Sequence, residues 1–343
     1  MIREDDPDGD WTIPGVYRCA PGVHRIPLPL PNDGLRAVNV YALTDGDGVT
    51  LVDAGWVLSQ AREVLTGALA ELGASLGDVR RFLITHAHRD HYTQAVALRR
   101  EFGTRVALGR GERPAIEALN QPRQGRFHAD QLSRAGAQEL LKRLEHVPPP
   151  EAVDWGFPDE WIDDGAEIVV DAGAPRERVL EAVATPGHTR GHVVFADASA
   201  GLLFSGDHVL PRITPSLGLE PVPPRSPLAD FLTSLELVRT RPDAVLLPAH
   251  GPTGMSVHKR VDELIAHHGK RLDATLAAVQ DGRSTAFEVA AVPPWTRRDT
   301  PLAELDLFNA MLATMETAAH LEVLAERHLV TVRDHDGIAH YTT

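Results

Sequence analysis

Thr85-His86-Ala87-His88-Arg89-Asp90-His91 is the stretch whose reading decides the fold. Four side chains able to ligate a metal follow directly on Phe82 to Thr85, a short apolar run that reads as a strand. On an extended segment His86 and His88 project to the same side, because strand side chains alternate with period two. A turn after them lets Asp90 and His91 face a second point close by. One loop can therefore supply two ligands to each of two cations. Imidazole with carboxylate suits zinc, and also iron or manganese. The competing explanation, a solvated histidine-rich loop, has to be weighed against what lies downstream.

Downstream, the same arrangement recurs three times. Pro186-Gly187-His188-Thr189-Arg190-Gly191-His192 follows the strand-like Leu180 to Thr185, Phe204-Ser205-Gly206-Asp207 ends another, and Pro248-Ala249-His250-Gly251 ends a third. Each places a metal-type residue just past a strand, beside a glycine that permits tight turns and close backbone approach. A carboxylate at Asp207 would offset the repulsion between two cations it bridged. Around these motifs apolar runs alternate with helical spacing. Val38 to Leu43 and Val49 to Val52 read as a hairpin across the Gly/Asp-rich residues 44–48. Leu58 to Leu72 and Tyr92 to Phe102 read as helices, and Arg105 to Leu108 as a strand. Two further helices, Glu112 to Leu119 and Ala129 to Leu144, make residues 109–150 a helical insertion, either a pocket wall or added scaffold. Strands resume at Glu167 to Val170, His192 to Asp197, Leu202 to Ser205 and Ala244 to Leu247, with Leu228 to Thr240 helical.

The ordered set HAHRDH, GH, GD and PAHG, with Val52-Asp53-Ala54-Gly55 before it, resembles the metallo-β-lactamase superfamily in its glyoxalase-II-like branch. The resemblance covers roughly residues 15–255 and implies an α/β fold, an αββα sandwich of two packed sheets with helices outside. It implies that His86, His88 and His188 hold a first metal, that Asp90, His91 and His250 hold a second, and that Asp207 bridges them. Asp53 would orient the histidine loop from behind the ligands. The expected cofactors are two divalent ions, zinc by default. The expected catalytic residues are Asp90, passing a proton to the leaving group, and Asp207, with a metal-bound hydroxide as nucleophile. No Gly-x-Ser-x-Gly elbow is present to suggest a serine nucleophile.

Other histidines look less informative. His192 and His208 flank ligands without matching a ligand position, and His128 lies in the insertion. Tyr92 reads as packing, Cys19 as structural, and His267-His268 with Lys270-Arg271 as a solvated helix face. From about Val257 the chain turns helical, which places a boundary near 258: a catalytic domain over 1–258 and a small, mostly helical, winged-helix-like domain over 259–343. In the latter, Arg271 to Gln280, Ala286 to Val292 and Met311 to Leu329 read as helices. Leu329 to Arg333 and Ile338 to Tyr341 read as a hairpin across Asp334-His335-Asp336-Gly337. The segment Thr317 to Leu329 is similar to the tail of the β-lactamase-like-2 ribonuclease family.

Charge argues against nucleic acid. The chain carries a formal net charge of -14, and residues 262–343 hold seven Lys/Arg against thirteen Asp/Glu, whereas a nucleic-acid reader should be basic. Walling the active site or homodimerisation is the expected role of this tail. A single cysteine rules out an internal disulfide and fits a cytoplasmic setting. No stretch approaches the ~18 apolar residues of a membrane helix. The expected function is hydrolysis of a thioester or ester of a small acyl compound. Arg110, Arg113, Arg123 and Arg126 are candidates for a local basic patch that would receive it. An endoribonuclease, phosphodiesterase or lactonase is the alternative, and a non-catalytic regulator is disfavoured by the complete ligand set.

Overall fold

The computed structural model describes all residues except 32–33, 47, 122–126, 149–152, 171–176 and 297. Eight strands form one sheet in chain order: β1 (Arg3–Glu4), β2 (Tyr17–Ala20), β3 (Val23–Pro29), β4 (Ala37–Asp45), β5 (Gly48–Val52), β6 (Val79–Ile84), β7 (Arg105–Gly109) and β8 (Glu160–Ile162). Pairing is antiparallel from β2 to β5 and parallel from β5 to β8. A second sheet has the order β13-β12-β11-β10-β9, built from β9 (Glu167–Val170), β10 (Arg178–Ala184), β11 (Val193–Asp197), β12 (Leu202–Gly206) and β13 (Val245–Pro248). The helices of this part are α1 (Ser59–Glu71), α2 (Arg89–Phe102), α3 (Arg113–Leu119), α4 (Phe127–Arg134), α5 (Gln138–Leu144) and α6 (Pro227–Thr240).

Period-two alternation divides the interior into layers. In β4, Val38, Val40 and Ala42 face the core beneath α1 and α2, while Tyr41 and Leu43 face the second sheet. In β12, Leu202 and Phe204 face the first sheet, and Leu203 faces α6 and the C-terminal helices. Three stacked cores result, which is the αββα arrangement expected. Burial of each large apolar side chain contributes about 1.5–3 kcal/mol before conformational entropy is subtracted.

Beyond the sandwich run α7 (Val257–Gln280), α8 (Ala286–Ala290) and α9 (Leu307–Glu326), then the antiparallel hairpin β14 (Thr331–His335) and β15 (Ile338–Thr342). Ser256 caps α7 by accepting from Lys259 N–H, and Thr285 and Glu288 form a capping box on α8. The helix expected from Arg271 is thus the second half of a longer one. α9 buries residues around its whole circumference: Ala310, Met311, Ala313 and Met315 in its first half share a core with α4 and α5, and Ala319, Leu321, Val323 and Leu324 in its second half join the second-sheet core. The insertion therefore packs on the C-terminal helices: Leu132, Ala137 and Leu140 share a core with Met311 and Met315. The single helix expected over Ala129 to Leu144 is two, broken at Gly136, whose φ is +76°. β1, β2, β3 and β8 were not anticipated. Pro27 and Pro29 mask β3, and both sit past the end of its pairing with β2, where a missing N–H breaks no ladder bond.

Candidate metal centre

Every candidate ligand sits at the same edge of the sandwich. β6 delivers His86, and the chain turns into α2, with His88 as its N-cap residue and Asp90 in its first turn. A carboxylate is favoured there by the unpaired N–H groups of the helix start. His188 lies between β10 and β11, Asp207 directly follows β12, and His250 follows β13. Gly206 lets the chain deliver Asp207: its φ is +49°, and a Cβ there would lie 2.7 Å from both His192 Nε2 and Thr85 Cβ.

Two donor groups form. His86, His88, His188 and Asp207 make one, and Asp90, His91 and His250 make the other, with ligand atoms within 4.8 Å of one another in each. His188 Nε2 lies 3.2 Å from His86 Nε2 and 3.0 Å from His88 Nδ1. His250 Nε2 lies 3.3 Å from Asp90 Oδ2, and His91 Nε2 lies 3.6 Å from the same oxygen. Asp207 spans the groups. Its Oδ2 is 3.4 Å from His188 Nε2, while its Oδ1 is 3.4 Å from His250 Nε2 and 3.7 Å from His91 Nε2.

The partners on the far sides of these rings set their tautomers. His188 Nδ1 is 2.7 Å from the Ser216 carbonyl and His250 Nδ1 is 2.8 Å from the Ala37 carbonyl. His91 Nδ1 is 2.9 Å from Asp53 Oδ2. Carbonyls and carboxylates only accept, so each Nδ1 carries the hydrogen and each neutral ring turns a bare Nε2 inward. Thr85 Oγ1 donates to Asp53, so His86 Nδ1, 3.0 Å away, must donate to Thr85. His88 faces the Leu219 carbonyl through Nε2 at 3.4 Å, which leaves Nδ1 bare. With all five rings neutral, as metal ligation requires, five lone pairs converge with two carboxylates. His91 Nε2, His250 Nε2 and Asp207 Oδ1 are buried without a hydrogen-bond partner. Lone pairs cannot satisfy one another, so this donor set fits cations, and its chemistry is that of zinc, iron or manganese.

Electrostatics agree. Burial pushes the His86 imidazole well below its usual range and His88 to about 3, reinforced by neighbouring rings. Burial also opposes charge on His91, but Asp90, Asp53 and Asp207 outweigh it and lift its pKa to about 10. Asp90 resists burial through His91 and His250 and stays below the usual carboxylate range. The acidic side of the site thus calls for positive charge.

Asp53 stands behind both groups. Its carboxylate accepts from Thr85 N–H at 2.9 Å, from Thr85 Oγ1 and from His91, and it holds a left-handed backbone at φ +59°. His192 is not in either donor group. It accepts from Asp207 N–H at 3.2 Å and stacks on His86 at 5.0 Å. Two residues carried no sequence signal. Glu112 accepts from Thr189 Oγ1, and Glu220 accepts from Arg190 N–H at 3.0 Å, so both brace the His188 loop. Burial lifts Glu112 to about 7, and burial with the neighbouring Glu112 lifts Glu220 to about 8.

Of the four arginines considered for a basic patch, the two described ones are paired with carboxylates. Arg110 pairs with Asp163, and Arg113 with Glu117 at 2.8 Å, on exposed surface, while Arg123 and Arg126 fall outside the described residues. Nor is His268 solvated: it is fully buried. Among the described residues no helix is long and apolar enough to cross a membrane.

Comparison with known proteins gives concordant matches. A family model described as the metallo-β-lactamase superfamily matches residues 33–250. The chain is 25% identical over 324 residues to the probable metallo-hydrolase YqjP of Bacillus subtilis, covering 90% of this chain and 92% of that one. It is 24% identical over 179 residues to hydroxyacylglutathione hydrolase GloC of Haemophilus influenzae, covering 51% and 69%. A solved structure of a metallo-β-lactamase family protein from Thermus thermophilus superposes with a TM-score of 0.75 at 31% identity, covering 95% of this chain and 99% of that chain.

Proposed function

The chain belongs to the metallo-β-lactamase superfamily as a metal-dependent hydrolase, and from that premise we propose that it uses two divalent ions to cleave a thioester or ester of a small acyl compound. The observation that carries the two-ion reading is Asp207, whose two oxygens face different donor groups. In this reading His86, His88 and His188 hold one ion and Asp90, His91 and His250 the other, with Asp207 shared and Asp53 fixing the ring orientations. Zinc is the proposed metal on ligand type. Bound there, such ions polarise a substrate carbonyl and acidify a water toward neutrality.

The chain's own groups do the rest. Asp90 is half-buried at the open side of the site, beside His88, and is the group proposed to hand a proton to the leaving thiol or alcohol. The insertion and the C-terminal helices support the wall of that opening. Gln131 Nε2 donates to Gly218 O at 3.2 Å, and Leu219, whose carbonyl meets His88, packs into the core shared by α4, α5 and α9. We assign residues 1–258 to catalysis, including the 109–150 insertion, and 259–343 to a winged-helix-like unit that walls the pocket. A cytoplasmic setting suits the one free cysteine. The thioester class is supported by the relative named for acting on a hydroxyacyl-glutathione, and by a net charge of -14 that disfavours RNA.

The test is a panel assay on metal-quantified protein: acyl-glutathione and acyl-CoA thioesters, simple esters, lactones, a chromogenic β-lactam, a phosphodiester and single-stranded RNA, each with and without chelator. Chelator-sensitive turnover of a thioester or ester is expected. Turnover confined to RNA or phosphodiester would overturn the substrate class.

A further inference from the structure

A second cluster of metal-type side chains lies away from the centre described above. His267 and His268 on α7 and Glu316 on α9 bring donor atoms within 4.8 Å of one another. His320, one turn after Glu316, explains why this cluster differs from a chance grouping. His320 Nδ1 lies 2.7 Å from the Glu316 carbonyl oxygen, and His320 Nε2 lies 3.2 Å from His268 Nδ1. A carbonyl only accepts, so His320 Nδ1 carries a hydrogen and neutral His320 accepts at Nε2. His268 must then donate from Nδ1, which leaves its Nε2 a bare lone pair. That atom is fully buried and has no hydrogen-bond partner. The carbonyl–imidazole–imidazole chain is the kind of support that fixes a metal-ligating histidine from behind.

We propose that His267, His268 and Glu316 form an additional site for a zinc-class divalent ion that ties α7 to α9. Two imidazoles and one carboxylate match zinc's preferences and leave a coordination position open to water. Around a tetrahedral ion, donors stand about 3.3 Å apart. His267 is exposed and Glu316 half-buried, so both side chains have freedom to close that distance about the fixed His268. Three cations bear on His267, namely Arg271, Arg260 and Lys270. Arg271 is held over the Trp295 ring, 4.1 Å from its centroid. With one carboxylate against these cations, this site binds its ion more weakly than the catalytic centre does.

The experiment is zinc content by elemental analysis after equilibrium dialysis of the full-length protein across a range of free zinc, with Tm recorded at each point. Wild type is compared with His267→Ala, which alters an exposed side chain, and with the near-isosteric Glu316→Gln. Wild type should hold one equivalent more than either variant at high free zinc, and its Tm should rise over that last equivalent alone. Circular dichroism spectra should superpose in all three, which verifies that the variants are folded. Equal zinc content in wild type and both variants, or an extra equivalent that persists in them, overturns the proposal. Because the readout is a difference in bound zinc, it stands apart from whether the catalytic reading is correct.

Discussion

Replacing Asp53 by Asn removes one charge and no volume, yet it should disable both donor groups. The carboxylate has acceptors on both sides: Oδ1 takes Thr85 N–H at 2.9 Å and Oδ2 takes His91 Nδ1–H at 2.9 Å. An amide offers one acceptor and one donor. If its oxygen faces His91, its NH2 meets Thr85 N–H, donor against donor. If it flips, His91 must surrender the Nδ1 hydrogen and protonate Nε2, the atom turned toward Asp90 and Asp207. Thr85 Oγ1 also loses a carboxylate acceptor, which loosens the constraint on His86. Loss of such a supporting partner weakens metal affinity by about 10- to 100-fold, or roughly 1.4–2.7 kcal/mol. Zinc affinity measured by chelator competition, with circular dichroism as the folding control, reads this directly. Activity titrated against free zinc should recover substantially in Asp53→Asn at high metal. Zinc affinity within twofold of wild type would refute the tautomer reasoning.

Further expectations concern stability. Gly206→Ala places a Cβ 2.7 Å from His192 and Thr85 at φ +49°, so it should cost more than the ~1–2 kcal/mol of a left-handed residue alone and lower turnover. Urea denaturation alongside activity checks both. Glu322 in α9 has its carboxyl pushed up from 4.5 to about 7 by burial. Between those values the folded protein keeps a proton that the unfolded chain releases. Its contribution to stability is therefore fully present below about pH 4.5 and lost as pH rises to about 7. Glu322→Gln should flatten that decline and raise stability at pH 8 by on the order of 1–3 kcal/mol. Parallel pH profiles that differ by a constant would contradict this.

The sandwich was legible because its strands end in chemistry: an apolar run and a ligand-type residue recur at His86, His188, Asp207 and His250, with a glycine beside the last three. Strands whose interiors carry proline, such as β3, or only two or three residues, such as β1 and β8, leave too little periodicity to read. The site's inner donors were visible as residue types, whereas half of their support was not. The Ala37, Ser216 and Leu219 carbonyls that orient His250, His188 and His88 belong to backbone, which has no sequence signature. Glu112 and Glu220 sit in stretches that look like ordinary surface until folding buries them. His268 was missed for a different reason. On α7 His268 falls four residues from both Leu264 and Leu272, on the helix's apolar face, so its burial follows from that spacing, which grouping it with its polar neighbours His267, Lys270 and Arg271 conceals.

The proposed two-ion centre rests on Asp207 serving both donor groups, and the most direct measurement is bound metal per chain together with thioester turnover in Asp207→Ala. Asp207 is the carboxylate that reaches both groups, 3.4 Å from His188 Nε2, 3.4 Å from His250 Nε2 and 3.7 Å from His91 Nε2, and without it the five inward imidazole lone pairs face the cations with Asp90 as the remaining carboxylate among the proposed ligands. The prediction is wild type with about two ions per chain and chelator-sensitive turnover, and a folded variant with sharply reduced metal and no measurable turnover. A variant that keeps full metal content and full activity would contradict the bridging role and the two-ion centre built on it.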